Sequence, residues 1–160
     1  MHSRVYGIVR KNNNEFYEEE KENILGIAET QLKENMNGVA DYIDEDTDLI
    51  EDCEWLEQNY AYMFEFTGKN SFKLNKKDIE QYLTEKLNKL KEILKNTNTP
   101  TEFIKNSYEI GKELNEEFGF YFVTDGYCCY TRTLDDFIKD EYMDNEENEY
   151  EIVKTWDYHF

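Results

Sequence analysis

The sequence predicts an α+β fold of about five helices packed on short antiparallel strands and hairpins, within a single compact domain over residues 1–160. Three observations predict it. The hydrophobic period switches between about two and about 3.6 residues in mixed order, without the regular strand–helix alternation of a doubly wound parallel sheet. Two pairs of strand-like runs are joined by short turn sequences, as antiparallel hairpins are. Ten Phe, thirteen Tyr and two Trp are enough large side chains to fill a core, although 34% of the residues are charged. A strand, helix and hairpin theme occurs in each half, so two small lobes with a weak seam near residues 96–100 is the alternative organisation.

Residues 3–10, SRVYGIVR, are rich in β-branched and aromatic types and predict an opening strand, broken by the polar run Lys11 to Asn14. From about 16 to 37, Ile24, Ile27, Ala28, Leu32 and Met36 recur at three- and four-residue steps, which predicts one helix stopped at Asn37-Gly38. A second, acidic helix starts after Asp46 or Thr47 with Leu49, Ile50, Cys53 and Leu56 on its apolar side. Alternation from Tyr60 to Phe66 predicts a strand, and Thr67-Gly-Lys-Asn70 turns it into Ser71–Leu74.

Residues 76–95 carry Ile79, Tyr82, Leu83, Leu87, Leu90, Ile93 and Leu94 in one stripe with Lys and Glu opposite, an amphipathic helix of about five turns. Thr99-Pro-Thr-Glu102 is a capping box with proline at the first helical position. The helix it opens runs to Phe118 with Phe103, Ile104, Tyr108, Ile110, Leu114 and Phe118 as its apolar set, and Gly119 sits where a left-handed C-cap is wanted. Phe120–Thr124 and Tyr127–Arg132 flank Asp125-Gly126, a hairpin signal. Thr133 caps a short helix to about Met143, and an acidic loop, Asp144 to Asn148, leads to a last strand over Tyr150–Tyr158.

The formal charge is −19, and it is unevenly placed. Residues 34–68 hold eleven acids and no basic group; residues 69–112 hold ten Lys against six acids; residues 113–160 hold fourteen acids against three basic groups. Such a field repels nucleic acid and anionic membranes and attracts basic proteins, above all the phosphate-binding clefts of nucleic-acid enzymes. Direct nucleic-acid or membrane binding is therefore not expected. No run of about 18 apolar residues and no signal-peptide core occur, and Cys53, Cys128 and Cys129 form no spaced disulfide framework, which predicts a soluble cytoplasmic protein.

Catalytic chemistry finds little support. The only histidines, His2 and His159, lie at the chain ends, away from any nucleophile. Cys128-Cys129 falls in a predicted strand, where neighbours face opposite ways, and three Cys with two remote His do not make a zinc site. No glycine-rich phosphate loop occurs. Asp46-Thr-Asp48 with Glu57 begins like a calcium loop, but Ile50 and Glu51 stand where an oxygen ligand and Gly belong. Asp135, Asp136 and Asp140 share a helical face and are the candidates for a divalent metal; solvated acids on an outer helix are the plainer reading. No cofactor is expected.

The candidate site is instead the charge itself. Asp41, Asp44, Glu45, Asp46, Asp48, Glu51, Asp52, Glu54 and Glu57 are nine acids in seventeen residues. If helical throughout, they carry about one charge per 3 Å, close to the one per ~3.4 Å of a DNA strand. A second edge runs through Asp135, Asp136, Asp140, Glu141, Asp144, Glu146 and Glu147 to Glu151. Tyr42, Trp55, Tyr60, Tyr142 and Tyr150 are candidate interface anchors.

In its size, its lysine-free acidic run 34–68, its acidic tail 133–151 and its lack of catalytic apparatus, the chain resembles, at the level of a class, the small acidic anti-restriction and anti-CRISPR proteins of phages and mobile elements. That resemblance implies a non-enzymatic inhibitor that occupies the nucleic-acid-binding cleft of a bacterial defence nuclease, by mimicry or by steric block. An immunity protein neutralising a basic nuclease toxin shares these features and is the alternative. A carboxylate-metal enzyme on Asp135, Asp136 and Asp140, and a homo-oligomer joined through helix 76–95, complete the readings.

Overall fold

The structure is a computed structural model that describes residues 2–12, 14–36, 40–114, 120–124, 126, 128–144 and 146–159. Among these residues six helices accompany seven strands of one mixed sheet, so the chain is α+β. At its centre, β1 (His2–Arg10) runs antiparallel to β7 (Glu149–His159) along its whole length. They match the first and last strands expected over 3–10 and Tyr150–Tyr158, each one or two residues longer. On the other side β1 pairs with β5 (Tyr121–Val123) in parallel, a pairing the hairpin reading did not foresee, and β5 pairs antiparallel with β6 (Thr131–Thr133). The outer edge of β7 is covered by β4 (Ser71–Leu74) at one end and by β2 (Tyr42–Asp44) at the other; β3 (Phe64–Phe66) completes the hairpin with β4.

Helices cover both faces. Side chains alternate along β1, so Tyr6 and Ile8 enter one core while Val5 and Val9 enter the other. The first core gathers Phe64, Phe72, Phe122, Phe137 and Tyr150 with residues of α3 (Leu49–Tyr60), α4 (Lys76–Lys95) and α6 (Leu134–Met143). The second holds Trp156 and Tyr158 with residues of α1 (Tyr17–Leu25) and α2 (Glu29–Asn35). Tyr150, Ile152, Trp156 and Tyr158 are all even-numbered and in an unbroken strand would share a face. The register against β1 shifts by one residue at Gly7/Ile8, which sends the last two to the opposite core.

Several expected elements come out differently. The helix expected over 16–37 is two helices. Gly26, unfavourable inside a helix, ends α1, and a tight turn from Ile27 N–H to the Ile24 carbonyl lets Ile24, Ile27, Leu32 and Met36 all reach one core. The expected stop Asn37-Gly38 lies outside the described residues. The acidic helix α3 continues to Tyr60, whose ring packs edge-on against Phe120 at 4.9 Å, so the following strand shrinks to Phe64–Phe66. β5 and β6 do pair, but not through a two-residue turn; Asp125 lies outside the described residues, and a Cβ on Gly126 would meet the Asn23 and Ile24 backbone at 2.4 Å. Gly126 serves close packing of the connection on α1, while Cys129, in that connection rather than in a strand, takes the left-handed φ of 51°.

The helix α5 (Pro100–Leu114) has the expected capping box, with Glu102 accepting from Thr99 N–H and the Thr99 hydroxyl accepting from Glu102 N–H. Its apolar stripe, however, is not buried. Phe103, Ile104, Tyr108 and Leu114 are exposed, as are Leu87 and Leu94 of α4; α4 and α5 pack on each other, and only Ile79 of the pair is buried. Residues 115–119, with the expected Phe118 and Gly119 terminus, lie outside the described residues. No helix among the described residues is long and apolar enough to cross a membrane.

Candidate functional site

The first acidic block is built on β2, a short linker and α3, so it is not one helix. Asp48 is the N-cap of α3: its side chain accepts from the N–H groups of Ile50 and Glu51, and Asp44 holds the linker by accepting from Asp46 N–H. From there Glu51, Glu54 and Glu57, three residues apart, form one exposed row along the helix, with Asp46 and Asp48 exposed before it. None of Asp46, Glu51, Glu54 and Glu57 is ion-paired among the described residues. Asp41 is exposed, and Glu45 pairs with Lys154 at 3.2 Å.

Asp52 departs from this surface. It is buried, accepts from Arg4 Nε at 2.5 Å, and ties α3 to β1 while Arg4 stacks over the Trp55 ring at 4.5 Å. Its place follows from helix geometry: three after Leu49 and four before Leu56, it lies on the packed face. Trp55 and Tyr60 are likewise packing residues, leaving Tyr42 as the exposed aromatic of this edge.

The second block is divided more sharply. Asp135 is fully buried, its carboxylate accepting from Tyr82 Oη at 2.7 Å and Lys86 Nζ at 2.8 Å. Glu141 is also buried, accepting from Tyr150 Oη at 2.5 Å and Asn148 Nδ2 at 3.1 Å. Burial first, then the Glu141 charge, pushes the Tyr150 hydroxyl far above its ordinary range and keeps it a donor. Asp136, Asp140, Glu146 and Glu147 are exposed, but Asp140 pairs with Arg132 and Glu146 with Arg10. Asp144 is held below the usual carboxylate range by the Asn148 amide and the Glu146 N–H.

Asp135, Asp136 and Asp140 thus do not converge. Asp135 points inward to a lysine and Asp140 outward to an arginine, and among the described residues no group of three or more His, Cys, Asp or Glu side chains is placed to hold a metal ion. His2 and His159 are paired in register across β1 and β7.

The two blocks do not join. The first lies beside Asp157–His159 and the second leads into Glu149, at opposite ends of β7 and about 26 Å apart at the usual strand rise. No protein-family profile, no curated protein and no solved structure matches the chain. The site therefore rests on its own geometry, and that geometry favours the β2–α3 edge, where the exposed carboxylates lack the arginine partners of the second block.

Sequence reasoning missed the arginines. The chain has only three, and each binds an acid assigned to the docking surface: Arg4 to Asp52, Arg10 to Glu146 and Arg132 to Asp140. Their rarity among eighteen cations was the available signal.

Proposed function

We propose that this chain is a non-enzymatic acidic inhibitor, acting in the cytoplasm, whose β2–α3 edge enters the basic nucleic-acid-binding cleft of a partner such as a defence nuclease or a nuclease toxin. The observation that carries this reading is the row Glu51, Glu54 and Glu57 with Asp46, exposed and without an ion-pair partner among the described residues. Like charges three apart on a helix repel by a few tenths of a kcal/mol per pair, and among the described residues no cation pairs with them. Glu57 adds to this by lying toward the helix C-terminus, where the macrodipole disfavours an anion.

The spacing favours electrostatic docking over a copy of a phosphate strand. Along α3 the row carries one charge per ~4.5 Å, sparser than the ~3.4 Å of a DNA strand. Attraction of this kind accelerates encounter and fades with salt. Exposed Tyr42 on the same edge supplies an aromatic anchor. Such docking fits the cleft-occupying inhibitor that the resemblance to the anti-restriction and anti-CRISPR class implies, and the same edge would serve an immunity protein.

The test compares the wild-type chain with D46N/E51Q/E54Q/E57Q as immobilised baits in bacterial lysate. The expected result is a basic nucleic-acid-binding protein held by the wild type alone, released by salt and displaced by duplex DNA. Equal recovery on both baits, or retention that DNA does not compete, would overturn the reading.

A further inference from the structure

β5 ends opposite Gly7, three residues before the end of β1, its parallel neighbour, and a cleft of about 340 Å³ opens past its end. Arg10, the last residue of β1, and Thr124, just past β5, lie in its wall; Phe137 and Tyr150 form an aromatic side. The carboxyl ends of parallel strands are where open sheets with helices on their faces hold small ligands.

Arg132, from β6, lies in the same wall. Two of the three arginines of a −19 chain therefore meet at one cleft. Each uses little of its donor capacity. Arg10 donates from Nη2 to Glu146 at 2.5 Å and Arg132 from Nη1 to Asp140 at 2.5 Å, while both Nε–H groups are buried and meet no acceptor among the described residues. A guanidinium carries five N–H donors, so most of the hydrogen bonding of this pair is unused. Buried donors without acceptors cost free energy.

The paired carboxylates hold these guanidiniums weakly. Glu146 and Asp140 are 57% and 62% exposed, and ion pairs so open to solvent are worth little. An oxyanion entering the cleft displaces them and takes both guanidiniums in the forked geometry that arginine offers carboxylate and phosphate. The rest of the acidic surface is screened beyond about 8 Å at physiological salt. Among the described lining residues Glu20 is the only carboxylate, and it accepts from Asn14 Nδ2 at 2.7 Å. At about 30 Å³ per water, the cleft has room for an anionic group with an organic body.

We propose that this cleft binds a small organic oxyanion, a phosphate monoester or a carboxylate, between Arg10 and Arg132, in competition with Glu146 and Asp140 for the two guanidiniums. The site is separate from the β2–α3 edge and does not depend on the inhibitor reading.

With three arginines, the side-chain Nε–H region of a 15N NMR spectrum has three signals, and Arg4, bound to Asp52, is an internal control. AMP and succinate are titrated in turn into the wild-type chain at constant ionic strength. Saturable movement of the Arg10 and Arg132 signals with Arg4 fixed is expected; movement with AMP alone assigns a phosphate monoester and with succinate alone a carboxylate. Removing the paired competitors in D140N/E146Q tightens binding by about fivefold, the scale of an exposed ion pair. Silence with both probes at millimolar concentration, equal unsaturated drift of all three signals, or unchanged affinity in D140N/E146Q would overturn the proposal.

Discussion

Lys86 Nζ lies 2.8 Å from Asp135 Oδ2, and this pair, with Tyr82 on the other carboxylate oxygen, pins α4 to α6. The Asp135 side chain is fully buried and that of Lys86 is 15% exposed. Removing one partner of such a pair leaves a charge in the interior, typically at a cost of about 3–5 kcal/mol, more than the intact pair is worth. Lys86→Met is therefore expected to lower stability by that order in urea denaturation at neutral pH, and Asp135→Asn added to it to recover part of the loss. Lys91→Met, on an exposed position of the same helix, serves as the control and should change little.

The same pair shows what the sequence could carry and what it could not. Ile79, Tyr82 and Leu83 announce α4 by their spacing, but spacing alone does not say whether Leu87 and Leu94 find a covering layer, and they do not. Asp52, Asp135 and Glu141 looked like surface charge because their partners lie far off in sequence, at Arg4, Lys86 and nearer at Tyr150. Helical spacing already held the correction: Glu141 stands three after Ile138 and four after Phe137, on the packed face of α6. The register shift at Gly7/Ile8 left no comparable trace, because a strand with one extra residue keeps the same composition.

Gly7 and Gly111 make a contrasting pair. A Cβ at Gly7 would stand 2.5 Å from Ile24 Cγ2 and 3.0 Å from the Trp156 ring, both fully buried, so neither neighbour has room to yield. Overpacking of this kind costs about 1–3 kcal/mol. At Gly111, inside α5, nothing lies within 4 Å, and alanine is the better helix former by about 1 kcal/mol. Equilibrium denaturation is expected to show Gly7→Ala destabilised and Gly111→Ala unchanged or stabilised.

Acid should unfold the protein partly through Glu151. Burial alone would raise this carboxyl, but hydrogen bonds from Tyr17, Lys21 and Asn70 outweigh it and hold it below its ordinary value. The unfolded chain, with Glu near its reference pKa of ~4.3, therefore binds the proton first as pH falls. The contribution is fully present above that value and lost as pH drops through the folded one. Glu149, held low by the Thr67 hydroxyl and Lys11, acts in the same direction. Urea midpoints measured between about pH 5 and pH 3 should fall less steeply in Glu151→Gln than in the wild type, although the variant starts from a lower stability at neutral pH.

The exposed row on α3 makes a prediction that needs no partner. Glu51, Glu54 and Glu57 repel one another and their flanking acids without an ion pair among the described residues. Asp48 is different in kind, since its carboxylate caps the helix, and Asp52 is bonded to Arg4. Neutralising the row in E51Q/E54Q/E57Q should thus raise the melting temperature at low ionic strength, by a total of roughly 0.5–1 kcal/mol from the i,i+3 pairs. That gain should shrink as salt screens the repulsion. Asp48→Ala, by contrast, should lose about 1 kcal/mol with little dependence on salt, since what it removes is largely a pair of local hydrogen bonds. If the row variant is instead destabilised at every ionic strength, these carboxylates hold the fold together through contacts of their own, and a surface kept for docking at the expense of stability is no longer the explanation for them.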